Sequence, residues 1–146
     1  RGSPECQLRS RVRAERAPRR WLLHTKPAAP GCLEPGANRI SELLSEGSPC
    51  YGSFMTLMEL FYRVWKDEGE AAGREAYADC FALPMIWIHE SPEILQRAAV
   101  IKATRPLSVA DAWIAATALE LEVTLVHKDP EFEHLPELLQ ERLPYK

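Results

Sequence analysis

Ser108-Val-Ala-Asp-Ala-Trp-Ile-Ala-Ala-Thr-Ala-Leu-Glu-Leu121, followed after one residue by Val123-Thr-Leu-Val126, is the stretch that decides the fold of this chain. The first run is rich in helix formers and sets Val109, Ala112, Trp113, Ala116 and Leu119 at helical spacing, which predicts a helix with one apolar stripe. The second is a short apolar run without polar alternation, the pattern of a strand covered on both faces.

Working outward, the same alternation recurs. Residues 20–24 (Arg-Trp-Leu-Leu-His) predict a brief strand, and residues 36–47 a helix carrying Ile40, Leu43 and Leu44 and stopping at Gly47. Cys50 to Ser53 reads as extended, Thr56 to about Lys66 as an apolar helix with Leu57, Leu60, Phe61, Val64 and Trp65, and residues 70–82 as another helix. Met85 to Ile88 predicts a buried strand, and Ser91-Pro92 opens a further helix. Helices alternating with short apolar strands argue for an α/β sandwich with a mainly parallel central sheet. Trp65, Trp87 and Trp113 fall on apolar faces, where packing is favoured over base stacking.

The chain has 146 residues, 46% apolar and 27% charged, enough for one ordinary core. No apolar run approaches the roughly 18 residues of a membrane span, and no secretory leader is evident, so a cytoplasmic location is expected. Cys6, Cys32, Cys50 and Cys80 lack the spacing of a zinc module and read as free thiols, mostly buried. Residues 1–35 hold seven arginines and Lys26 against Glu5, Glu15 and Glu34, whereas the net charge of the whole chain is -3, so the remainder is acidic. Residues 1–19 are expected to be a basic tail, residues 20–146 a single domain, and Lys26 to Gly36 a loop.

Signatures of serine hydrolases, P-loop hydrolases, zinc proteases and dinucleotide-binding folds are absent. What stands out is three acids. Glu59 lies in an otherwise apolar helix three residues after Thr56, and Asp111 lies three residues after Ser108. Each pair matches a helix-capping arrangement, but in a parallel sheet the helix starts also stand at the ligand-binding edge. Asp129, just past the strand at 123–126, reaches the same edge, or else is a solvated turn acid before Pro130. Converging carboxylates repel unless a hard cation such as Mg2+ or Mn2+ lies among them, and metal-assisted phosphodiester hydrolysis is the reaction they suit. His127 reads as a surface histidine at a strand end, and His89 and His134 form no ligand set with it. Arg105 and Lys128 flank the acidic edge as candidate phosphate contacts.

The runs at 56–62, 106–118 and 124–132 together resemble the PIN-domain ribonucleases, and among them the VapC-like toxins of toxin-antitoxin pairs. The resemblance covers about residues 36–146. It implies a three-layer α/β/α fold, Mg2+- or Mn2+-dependent endonucleolytic cleavage of RNA, Glu59, Asp111 and Asp129 as catalytic metal ligands, Ser108 as a hydroxyl beside the site, a cognate antitoxin and a homodimer. Thr56 is expected to cap its helix. One position departs from the pattern: such proteins end their first strand on an aspartate, and the counterpart here is Leu22-Leu23-His24-Thr25-Lys26, which brings His24 to the site. Glu34 is the only other acid nearby, in a proline-rich loop. The substitution leaves open a weakened or Mn2+-shifted nuclease, an impaired PIN-like protein acting through antitoxin or RNA binding, or an altered amino-terminal segment.

Overall fold

The computed structural model describes residues 19–24 and 36–144. The expected tail through residue 18, the loop beginning at Lys26, Glu34, Cys6 and Cys32 lie outside the described residues.

Five strands, β1 (Trp21–His24), β2 (Cys50–Ser53), β3 (Ile86–Ile88), β4 (Thr124–His127) and β5 (Gln140–Arg142), form one sheet in the order β3-β2-β1-β4-β5 with every pairing parallel. The helices are α1 (Ala37–Ser45), α2 (Phe54–Glu68), α3 (Glu70–Cys80), α4 (Pro92–Thr104) and α5 (Val109–Leu121), with a 3-10 turn at Pro130–His134.

The alternation of side chains along the central strands divides the core in two. Leu22 and Leu125 face a cluster with Ile94, Ile101, Ile114 and Phe132, supplied by α4, α5 and the 3-10 turn. Trp21, Leu23 and Val126 face the opposite side, against Leu43 of α1 and Leu143. Apolar side chains on both faces are why these strands read as uninterrupted apolar runs, and they give the α/β/α layering. Leu57 and Leu60 of α2 with Cys80 of α3 make a third, smaller cluster under Trp87. Cys50 and Cys80 are buried free thiols, as expected.

Several expectations need correction. α2 starts at Phe54: Ser53, still extended at φ -82 and ψ 143, accepts the Met55 N–H, so Thr56 lies inside the first turn and does not cap it. α5 carries no single stripe. Ala112, Ile114, Ala115, Ala116, Thr117 and Ala118 are all buried while Val109 is exposed, because a helix of alanines lies closely between the sheet and α4. β5 and the 3-10 turn were not anticipated; Gln140-Glu-Arg142 has no apolar signal because it is a three-residue edge strand.

Candidate functional site

All strands being parallel, their carboxyl ends share one edge, and β1, β2 and β4 close there on His24, Ser53 and His127. His24 and His127 are register partners and share the face of Leu22 and Leu125, toward α5. Phe132, fully buried in the 3-10 turn, meets both imidazoles edge-on, at 5.8 Å from His24 and 4.9 Å from His127.

His24 is held at two points. Its Nδ1 is 3.0 Å from Thr56 Oγ1, while its Nε2 faces Glu59 Oε2 at 3.6 Å and Asp111 Oδ1 at 3.9 Å. Those last distances exceed a good N–H···O bond, about 3.2 Å at most. They would be ionic contacts only for a charged imidazole. Burial draws the His24 pKa down to about 4, overcoming the pull of Asp111 and Asp129, so the ring is neutral at pH 7.

Thr56 and Glu59 share a face of α2. Burial pushes the Glu59 carboxyl above its ordinary range; Arg63, 3.6 Å away and one turn on, opposes this, and repulsion from Asp111 and Asp129 adds to it. Asp111 is only 6% exposed. Its N–H donates to Ser108 Oγ at 3.0 Å, and the Ser108 hydroxyl donates back to Asp111 Oδ2 at 2.6 Å. The two readings of this acid are therefore compatible: one carboxylate oxygen completes the cap and the other faces His24. Asp129 Oδ1 accepts the Glu131 N–H at 2.9 Å, capping the 3-10 turn, and its charge is felt by both His24 and Glu59.

Arg105 faces Glu137 at 3.9 Å. Lys128 separates His127 from Asp129 and is partly buried. His127 is not a surface residue: it is fully buried, and its Nε2–H donates to Gln140 Oε1 at 2.9 Å, the Gln140 amide being oriented by the carbonyls of Phe132 and Leu135. His89 is exposed and stacks on Phe54. Sequence reasoning missed Arg63, although its i,i+4 spacing from Glu59 was a usable signal. It also missed Phe132 and Gln140, for which no local signal exists.

Among the described residues, no group of three or more His, Cys, Asp or Glu side chains is placed so that it could hold a metal ion. Two carboxylates and an imidazole converge, beside a third carboxylate; by donor type the carboxylate oxygens suit a hard divalent ion, although the side chains as placed do not form a complete metal site.

The PIN domain family model matches residues 33–138, a span that contains Glu59, Asp111 and Asp129 and begins after His24. No curated protein matches the chain significantly. Similar solved structures include VapBC2 from Rickettsia felis bound to a DNA fragment from its promoter, at TM-score 0.64 and 19% identity over 86% of this chain and 99% of that one. DNA-bound VapBC from Salmonella typhimurium gives 0.66 and 19% over 85% and 98%. FitAcB from Neisseria gonorrhoeae gives 0.62 and 19% over 83% and 95%.

Proposed function

Because this chain belongs to the PIN-domain family, its model matching residues 33–138, we propose that the protein is a divalent-metal-dependent endoribonuclease acting as the toxin of a toxin-antitoxin pair. The observation that carries the reading is the convergence of Glu59 and Asp111 on the His24 ring at the carboxyl edge of the sheet, with the Asp129 charge acting on the same point. Glu59, Asp111 and Asp129 would hold Mg2+ or Mn2+. A dication bound there supplies Lewis-acid charge to a phosphodiester and lowers the pKa of a bound water.

The chain's own residues do the positioning. Ser108 fixes the rotamer of Asp111 through its 2.6 Å hydrogen bond, so Oδ1 keeps its direction. Burial of Glu59 and Asp111 keeps competing water away and strengthens their electrostatic pull on a cation. Arg63, half exposed and in contact with Glu59, together with Lys128 and Arg105, supplies positive charge for RNA phosphates, contacts that position a strand without reading its sequence.

The antitoxin partner is supported by the VapBC complexes that share the fold and by an exposed aromatic surface on α2 and α3, where Tyr62, Trp65, Tyr77 and Phe81 stay in solvent. The same surface suits a homodimer. No helix among the described residues is long and apolar enough to cross a membrane, and a cytoplasmic site of action accords with an RNA substrate. A second reading, an impaired PIN-like protein working through antitoxin or RNA binding, is favoured by one observation, the imidazole of His24 among the acids.

Incubation of the purified protein with single-stranded RNA and Mg2+ or Mn2+ tests the proposal. Cleavage is expected to disappear with chelator and in Asp111→Asn. Cleavage that persists undiminished in Asp111→Asn refutes the site, and no cleavage with either ion, in a wild-type protein that binds it, favours the second reading.

A further inference from the structure

One polar side chain from the last strand ties together the segment that carries Asp129. Gln140 stands on β5, at the opposite edge of the sheet from β3, and its backbone is held on both sides: the Leu125 N–H donates to the Leu139 carbonyl at 2.8 Å and the Leu143 N–H to the His127 carbonyl at 2.7 Å. Its strand neighbours Glu141 and Arg142 form ion pairs with Arg39 and Glu133 at the surface, whereas Gln140 turns inward. The Gln140 Nε2 amide donates to the carbonyls of Phe132 and Leu135 at 3.3 and 3.4 Å. Both bonds are long, yet a carbonyl only accepts, so two of them on one side decide which end of the amide is the NH2. Oε1 is thereby left facing the His127 ring, whose Nε2–H donates to it at 2.9 Å.

His127 and Phe132 are both fully buried, and Asp129 falls between them, two residues after the first and three before the second. One amide thus pins both ends of the short segment, and the Asp129 carboxylate is fixed in turn by the Glu131 N–H at 2.9 Å. The Phe132 ring, anchored through its own carbonyl, also packs edge-on against His24 at 5.8 Å. Building on the nuclease reading for what the site does, we infer that Gln140 is a positioning residue, which sets where β4 passes into the 3-10 turn and so holds Asp129 at the carboxyl edge of the sheet. It acts through the segment and touches none of the three acids. Methionine at this position keeps the length of the side chain and makes none of the three bonds, so residues 128–131 would gain freedom, and a shift on the order of 1 Å at a reacting group lowers a rate about a hundredfold.

The test compares full-length wild type with Gln140→Met and with Ile40→Ala, which trims the core on the opposite face of the sheet and serves as the control for lost stability, each verified as folded by circular dichroism. In Gln140→Met, kcat for single-stranded RNA with Mn2+ should fall about ten- to a hundredfold while KM changes by less than about twofold, the pattern of a displaced reacting group rather than of lost binding. Gln140→Glu, which keeps the His127 bond and removes both donors to the turn, should lose kcat in the same sense. Ile40→Ala should keep the kcat of wild type. The 15N–1H resonance of the Glu131 amide, which reports its bond to Asp129, should move in Gln140→Met and not in Ile40→Ala. Independently of any variant's folding, the side-chain amide protons of Gln140 in wild type should exchange with deuterium at least about tenfold more slowly than those of exposed Gln96. A wild-type kcat or an unmoved Glu131 amide in folded Gln140→Met, an equal loss of kcat in Ile40→Ala, or Gln140 protons that exchange as fast as those of Gln96 overturns the inference. Wild type that leaves RNA intact, while the Glu131 amide still moves in Gln140→Met, refutes the nuclease reading and leaves Gln140 as the residue that places Asp129.

Discussion

Gly52→Ala is expected to destabilise the protein through a single contact, between β2 and β3. Gly52 and Trp87 are register partners, and a Cβ on Gly52 would lie 2.3, 2.6 and 2.9 Å from Cζ3, Cε3 and Cη2 of the indole. Carbon atoms settle at about 3.5 to 4.0 Å, so the ring would have to move by roughly 1 Å or more. It is not free to do so, because Nε1 donates to the Cys80 carbonyl at 3.3 Å and the ring closes the cluster of Leu57, Leu60 and Cys80. Overpacking of this kind costs about 1–3 kcal/mol and loss of the indole hydrogen bond about 1 kcal/mol, so about 2–4 kcal/mol is expected in all. For a chain of this size that lowers Tm by roughly 6–12 °C. Urea denaturation in chelator, followed by tryptophan fluorescence, measures it. The sign is decisive, since in open space alanine in a strand would stabilise by about 0.5–1 kcal/mol relative to glycine. A Gly52→Ala protein as stable as wild type, or more so, would refute the packing argument. Adding Trp87→Leu should recover part of the loss, a coupling between the two positions that independent sites would not show.

Four further outcomes follow from the site. Ser108→Ala should lose about 1 kcal/mol of stability with the helix cap and also weaken Mn2+ binding, as thermal melts and titration would measure; a purely structural serine would change only the first. Asp111→Asn should abolish metal binding while keeping or raising Tm in chelator, because the cap geometry survives and a carboxylate repelling Glu59 is gone. Saturating Mn2+ at about 100 times its Kd should stabilise wild type by about 2.7 kcal/mol in denaturation curves and leave Asp111→Asn unmoved. In chelator, the folded protein refuses a proton that unfolded His24 takes up near pH 6.5, so this group removes stability as pH falls from about 6.5 to about 4, on the order of 3 kcal/mol in total. Glu59, whose carboxyl is raised, acts in the opposite sense at the acid end, so the comparison is with His24→Gln, whose stability should fall less across that window; parallel curves would contradict the burial argument.

The order and type of most elements were legible because they rest on local chemistry. The runs at 21–23, 86–88 and 123–126 are largely apolar without alternation, and Ser91 and Ser108 open their helices by accepting the N–H groups of Ile94 and Asp111. Thr56 misled for an equally local reason: its spacing from Glu59 imitates a capping box, but Ser53, where β2 passes directly into α2, accepts a first-turn N–H instead. β5 left no pattern because an edge strand of polar residues draws its stability from β4, not from its own side chains.

By itself, then, the sequence determined the strand and helix pattern and the three acids, since periodicity, caps and composition act over a few residues. Only the tertiary structure decided what those acids face. His24 and Thr56 are 32 residues apart in the chain, and His127 becomes a buried wall because Gln140 and Phe132 close over it from later segments. The direction of the ring nitrogens, the burial that keeps an imidazole neutral and the carboxylate oxygen left facing it depend on side chains that meet only when β1 is paired between β2 and β4.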